Sequence, residues 1–282
     1  RKILGLTEDL DKVSEALFAL KTNGGSEYCA WVIGDSLEQL SWSADNRDLK
    51  TIFIAGNEPF DQGPKPHAKA CEAAVAKGVA VNTIFCGGYQ EGADTKWRDG
   101  SVLGKGSYSN IDSDKAIVHI PAPQDTRIAE LNVKLNATYI AYGGRAGEES
   151  KLRQVAQDAN AAKAAPSVAS ARIASKNSSF YKNDSWDIVD AAKEGKDITK
   201  MKEAELPAEM QGMSADERKA FVEKKTAERA EVQKELRDLS VARDAFVQTE
   251  TKKRAEAKGE KSLDDAMVES LKAQAVEKGF GF

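Results

Sequence analysis

The 282 residues carry 41 basic and 45 acidic side chains, a formal charge of −4, with 41% of positions hydrophobic. This composition excludes collagen, wholesale disorder and a disulfide-dense mini-protein, and it leaves room for one sizeable core plus a second, smaller element. Nearly balanced charge also excludes the bulk basic field that holds nucleic acid or an anionic membrane by counterion release, so no nucleic-acid partner is expected.

No run of about 18 apolar residues is present, so no transmembrane segment is expected. The chain opens at Arg1 on Ile3-Leu4-Gly5-Leu6 instead of a methionine and a leader, which suggests that further residues lie upstream. The first helix is expected to be capped by Thr7, with Glu8 and Asp9 in its first turn and Leu10, Val13, Leu17 and Leu20 on its inner face, ending near Gly24-Gly25. A second helix follows, with Tyr28, Val32 and Leu40 toward its buried side. Thr51 to Ala55 is a continuous apolar run closed by Gly56-Asn57, the pattern of a strand buried on both faces. A helix from Pro66 to Lys77 stops at Gly78, and Val79 to Phe85 forms a second buried strand ending at Cys86-Gly87-Gly88. After a short helix around Trp97, Tyr108–Ile111 and Ala116–Ile120 are expected to pair across Asp112-Ser113-Asp114, and a helix carrying Ile128, Leu131 and Leu135 completes this half. Strands separated by helices of this length imply a mainly parallel α/β sheet covered on both faces.

The second half has another texture. Alanine-rich sequence from about Glu148 to Lys176 is split by Pro166 into two helices, and Trp186, Ile188 and Val189 supply a small apolar anchor. Ser214 and Glu217 form a capping box that opens a helix running to about Ala257. Val232, Leu236, Leu239 and Phe246 follow a 3.5-residue period on it, with Arg229 and Arg243 on the same seam. Ser262 and Asp265 start a last helix, with Leu263, Met267 and Leu271 inward. Residues 201–282 therefore read as a charged helical hairpin packed on its own domain, or as a coiled coil for self-association.

Few residues carry chemistry. The glycine runs at 87–92 and 143–147 lack the G-x-G-x-x-G order, and no G-x-x-x-x-G-K-[ST] or G-x-S-x-G motif occurs. Cys29, Cys71 and Cys86 fit no zinc spacing. Cys86 ends a strand where open sheets bind ligands, so a thiol enzyme pairing Cys86 with His67 is one alternative, and a Cys71–Cys86 disulfide is another possible use of the thiol. Loops around Glu27 and Asn57 offer oxygen ligands to magnesium or calcium.

The segments Leu6-Thr7-Glu8-Asp9-Leu10-Asp11-Lys12-Val13, Thr22-Asn23-Gly24-Gly25-Ser26-Glu27-Tyr28, Ile52-Phe53-Ile54-Ala55-Gly56-Asn57-Glu58-Pro59-Phe60 and Val81-Asn82-Thr83-Ile84-Phe85-Cys86-Gly87 resemble the later part of a bacterial von Willebrand factor type A domain over roughly residues 1–142. The tail, including Leu206-Pro207-Ala208-Glu209-Met210 and Lys278-Gly279-Phe280-Gly281-Phe282, resembles a helical extension found after such domains. The resemblance implies a doubly wound sheet of order 3-2-1-4-5-6 that binds a divalent cation at its top. The family's D-x-S-x-S loop is missing here, Glu27 stands near its threonine and Asn57 stands at its aspartate, so a degenerate metal site at Glu27 and Asn57 is what the resemblance leaves. It also makes Arg1–Leu6 the end of the third strand and leaves the first two strands to a preceding segment or another chain, because unpaired buried edge groups cost about 1 to 3 kcal/mol each.

The expected organisation is thus a partial α/β domain at 1–142, a helical connector at 143–200 and the charged helical hairpin or coiled coil at 201–282. The expected function is a non-enzymatic protein-interaction and assembly module with a protein partner, by self-association or through a complementing chain. The alternatives are a metal-dependent adhesin completed by residues upstream of Arg1 and the Cys86 thiol enzyme. A periplasmic or cell-surface location follows from the resemblance alone.

Overall fold

The computed structural model describes residues 2–21, 25–111, 119–258 and 263–281. In chain order the elements are α1 (Leu10–Phe18), α2 (Cys29–Gln39), β1 (Lys50–Gly56), α3 (His67–Ala76), β2 (Val79–Cys86), α4 (Tyr89–Asp94), α5 (Trp97–Leu103), β3 (Lys105–Ile111), α6 (Asp125–Asn136), α7 (Arg145–Ala164), α8 (Pro166–Lys176), α9 (Ile188–Lys193), α10 (Ala215–Lys258) and α11 (Leu263–Glu277). Three short 3₁₀ turns lie between α9 and α10. The chain forms an α/β region with a parallel sheet and interleaved helices, followed by a mostly helical region that includes one long helix. Two compact units emerge, and they do not follow chain order: residues 1–6, 21–117 and 257–282 make the first, and 7–20 with 118–256 make the second.

In the first unit β1, β2 and β3 are parallel and adjacent in the order of the sequence. Right-handed crossovers between successive neighbours all return on the same side of a sheet. One face, bearing Ile52, Ile54, Val79, Val81, Phe85 and Tyr108, accordingly carries the connecting helices, and α2, which precedes β1, joins them there: Cys29, Ile33 and Leu37 of α2, Cys71 and Ala74 of α3 and Trp97 of α5 lie in one apolar cluster. Phe60 and Trp97 meet edge to face with ring centroids 5.1 Å apart, both fully buried. The opposite face meets α11, which packs on β3. Between Val81 and Thr83 the β2–β3 register slips, and the spare Ser107 N–H of the bulge donates to the Asn82 side chain at 2.9 Å. Gly106 is required there, since a Cβ would overlap the Val81 carbonyl.

The second unit is helical. Its apolar clusters gather Ile128, Leu131, Leu135, Tyr139, Trp186 and Leu236 on one side, and Ile140, Ile188, Met210 and Val222 on the other. Pro166 opens α8 at a first-turn position, where its missing N–H leaves no bond unmade. Ser214 and Glu217 bond reciprocally at the start of α10, as the capping box requires.

Several expectations are corrected. Residues 2–6 lie outside any strand, so they are not the end of a third strand. Asp9, not Thr7, caps α1 by accepting from Lys12 N–H. Leu17 and Leu20 are exposed while Asp11 points inward, because its carboxylate is bound by Arg172 and Tyr181. The buried face of α2 is Cys29, Ile33 and Leu37, one residue out of step with the expected set, and Tyr28 and Val32 are exposed. Residues 112–118, where the Asp112-Ser113-Asp114 turn and most of the Ala116–Ile120 strand were expected, lie outside the described residues, and His119 and Ile120 are not in a strand. Of the last two helices, α11 belongs to the first unit and almost all of α10 to the second. The seam of α10 is intramolecular, with Val232, Leu236 and Leu239 packed against the Leu131–Tyr139 cluster.

Candidate functional site: the carboxyl end and open side of the sheet

Ligands of open parallel sheets bind beyond the carboxyl ends of the strands, and the structure brings both expected site residues to that place. Glu27, immediately before α2, lays its carboxylate across the end of β1, where Oε2 accepts the backbone N–H groups of Asn57 at 2.9 Å and Glu58 at 3.3 Å. Its own N–H donates to Gln62 Oε1 at 2.5 Å. Gly56 permits this approach, because a Cβ there would overlap the Glu27 carboxylate. Trp97 Nε1 donates to the Glu58 carbonyl at 2.8 Å and fixes the loop from the other side.

This geometry makes Glu27 a clamp. A hard divalent cation takes six or more oxygen ligands, including at least one or two carboxylates free to coordinate it. Here one carboxylate oxygen is already engaged by two amides, Asn57 adds a neutral group, and no cluster of three or more His, Cys, Asp or Glu able to hold a metal occurs among the described residues. Glu27 and Asn57 meet as expected, yet the donor set does not fit magnesium or calcium.

Cys86 lies nearby at the end of β2. Burial raises its thiol pKa, the neighbouring Glu27 charge raises it further, and only the Gly56 backbone contact opposes them. His67 is bonded instead to Asp99, at 2.9 Å from Nε2. Nucleophilic thiols need a lowered pKa or an adjacent base, and Cys86 has neither from these groups. Cys71 and Cys86 are both free. Strand alternation explains why: Cys86 shares a face with Ile84 and Asn82, whereas Cys71 sits in the apolar cluster of the other face. Burial pushes Cys71 up to about 11 and Cys29 up to about 12.

Two further features of the sheet stand out. Among the described residues no strand pairs with the outer edge of β1, and its apolar residues Ile52 and Phe53 are only half-buried while Ala55 is exposed. On the central strand, Asn82 is almost completely buried and gathers five hydrogen bonds. Its Nδ2 donates to Thr51 Oγ1 (2.6 Å) and Gln274 Oε1 (3.5 Å), and its Oδ1 accepts from Ser107 N, Ser270 Oγ (2.8 Å) and Gln274 Nε2 (2.7 Å). The signal in the sequence was an asparagine inside the apolar run Val79–Phe85.

The second unit holds buried charge of another kind. Arg172 bridges Asp11 and Asp158, and Lys176, with no exposed side-chain surface, donates to Asp158 (2.7 Å), Asn132 (2.9 Å) and Asn136 (2.5 Å). Arg229 binds both oxygens of the fully buried Asp187, Asp190 and the Thr138 carbonyl, over the face of Tyr139 with 4.0 Å to its centroid. Arg243 donates to Asp125 at 2.6 Å. Every acid in these groups has a base, so they read as packing devices. The two arginines that interrupt the apolar seam of α10 are its attachment points to the unit.

No helix among the described residues is long and apolar enough to cross a membrane. Comparison with protein-family models, with curated proteins and with solved structures returned no match.

Proposed function

We propose that this chain is a non-enzymatic protein-interaction and assembly module in which an extended segment of another polypeptide adds to the outer edge of β1. The observation that carries this reading is the state of that edge. Exposed strand edges are ordinarily blunted by proline, by outward lysines or by a covering element, whereas β1 has no proline, its one lysine, Lys50, is buried with Nζ donating to the Ser43 carbonyl, and the uncharged run Thr51-Ile52-Phe53-Ile54-Ala55 has no strand beside it among the described residues. Added strands gain main-chain hydrogen bonds along the whole edge, and alternate side chains provide specificity.

In the finer form of this reading the sheet is the later half of a von Willebrand factor type A-like layer. β1, β2 and β3 then stand for strands 4, 5 and 6, and the arriving strand takes the central place of the 3-2-1-4-5-6 order. Support for that assignment comes from the four sequence segments and from the consecutive order of the three strands. A location at the cell envelope belongs to the same assignment. The metal-dependent alternative is not favoured, because the amides of Asn57 and Glu58 already engage Glu27 Oε2 and no group of three or more His, Cys, Asp or Glu able to hold a metal occurs among the described residues.

Sedimentation velocity over a hundredfold range of protein concentration, with hydrogen exchange of β1 read in parallel, tests the proposal. Self-association that slows exchange of β1 amides and is abolished by Ala55→Lys, a substitution at an exposed position, supports it. Outer-edge β1 amides already as protected as those of β2 in the monomer would show the edge to be closed and end the proposal.

A further inference from the structure

We propose that α11 is a releasable cover on the second face of the sheet, held by a polar lock that opens without unfolding the strands beneath. Strand order makes a separate cover necessary. Since β1, β2 and β3 follow one another without reversal, their connecting helices fall on one face, and the face of Ala80, Asn82 and Ile84 depends on an element from elsewhere in the chain. That element is α11, which packs on β3.

The chemistry of the contact differs from that of the first face. No residue of α11 belongs to the apolar cluster of this unit. Among its described side chains Ser270 and Ala275 are buried, Leu263, Ala266, Met267, Leu271 and Gln274 are half-buried, and Val268 and Val276 are exposed. Two small side chains and a few half-buried ones give little hydrophobic stabilisation, which scales with apolar area removed from water. Specificity comes from Ser270 and Gln274, one helical turn apart, both donating to Asn82 Oδ1. After the helix, Lys278 Nζ bonds the Asn46 carbonyl at 2.8 Å in an exposed contact.

The lock is built so that it can open. A buried amide left unpaired would resist release, at a cost that retains the helix. Asn82, however, keeps one partner for each of its ends inside the sheet: Thr51 Oγ1 for Nδ2 and the Ser107 N–H for Oδ1. When α11 leaves, water replaces Ser270 and Gln274 and the sheet-side bonds persist. The bulge at Ser107, which needs Asn82, is therefore independent of the helix. Elements that open at low free energy have few buried apolar contacts and hydrogen bonds that water can replace, and α11 has both properties.

Native-state hydrogen exchange of the full chain, resolved by peptide or by residue, tests this. In the wild type the amides of α11 are expected to exchange at least about tenfold faster than those of β2, by a sub-global opening. The Ser270→Ala/Gln274→Ala double variant should raise the α11 rate further and leave β2 and the unfolding of the sheet unit unchanged. Exchange of α11 and β2 at one common rate, an α11 rate unmoved by the double substitution, or an equal rise in β2 would each show α11 to be an integral part of the fold and overturn the proposal. This outcome is independent of strand addition at β1, which Ala55→Lys reports.

Discussion

The two units bury opposite kinds of interior. The sheet unit is centred on Phe60, Phe85, Trp97, Ile33 and Val81, an apolar cluster beside which only a few polar side chains, Thr83 and Ser101 among them, are buried, with Asn82 on the other face. The helical unit surrounds Asp11, Asp158, Arg172, Lys176, Asp187 and Arg229 with aromatic and aliphatic side chains. Apolar packing is sensitive to volume and indifferent to pH. A buried ionic network tolerates volume changes at its margin and depends on every partner being present and charged, since removal of one leaves the other desolvated and alone. One chain thus offers both modes side by side, and its tryptophans separate them: Trp31, Trp42 and Trp97 lie in the first unit and Trp186 in the second.

The largest effects are expected where each mode is cut at its centre. Arg229→Ala strands the fully buried Asp187 and should destabilise the helical unit by about 3–5 kcal/mol in urea unfolding followed through Trp186. Arg229→Lys should recover little of this, because a single ammonium cannot reproduce the fork that binds Asp187, Asp190 and Thr138 together. Trp97→Ala should cost about 3–5 kcal/mol in the sheet unit, followed by circular dichroism. An equal loss from Arg229→Ala in the Trp31, Trp42 and Trp97 signals would show that the two interiors melt as one.

Next in size, Gly106→Ala forces a methyl group onto the Val81 carbonyl and is expected to cost about 1–3 kcal/mol, confined to the sheet unit. Its neighbour there is backbone, which cannot swing aside.

The pH response should divide the units. Burial acts to raise the Asp158 carboxyl, but the Lys176 charge and the hydrogen bonds from Lys176, Asn136 and Asn132 outweigh it and hold the pKa below the ordinary carboxylate value. That stabilisation is present above the unfolded-state pKa of about 4 and is lost as pH falls through the lowered value. Burial also brings Lys176 down to about 8 from 10.5, against the pull of Asp158. Just above pH 8 the unfolded chain keeps a proton that the folded chain has released, so stability of the helical unit should rise with pH there, until near pH 10 the buried Tyr139 and Tyr181, whose pKa burial raises, act in the opposite sense. Lys176→Met should flatten that rise, while the sheet unit shows neither effect. A rise of the same slope in the variant would assign it to another group.

The smallest effect concerns reactivity. With all three thiols shifted upward, chiefly by burial, a thiol reagent near pH 8 should find Cys86 slow and Cys29 and Cys71 silent in the folded protein, then count three after unfolding. Fast modification of Cys86 would restore the thiol-enzyme alternative.

Legibility in the sequence followed the range of the interactions. Thr51–Ala55 and Val79–Phe85 read as buried strands, and Pro166 and the Ser214–Glu217 box marked helix starts, because each depends on residues within a few positions of one another. The proximity of Glu27 and Asn57 was also legible, through the resemblance. Their use was not, since only the folded loop shows the Glu27 carboxylate already bound by two amides. The facing of α1 failed for a related reason: Asp11 points inward toward Arg172, a partner 161 positions away.

The sequence by itself determined the alternation of strands and helices in the first half, the parallel sheet that alternation requires, and the helical nature of the second half, because backbone preference and apolar period are local properties. Only the tertiary structure decided which charges go inside and which helix covers which face. Arg229 and Arg243 look like interruptions of an apolar seam until Asp187 and Asp125 are brought beneath them, and Ser270 and Gln274 look like ordinary solvated positions until Asn82 gives them a partner. A buried polar group is tolerated only with its complement in place, and that complement is supplied by residues distant in the chain.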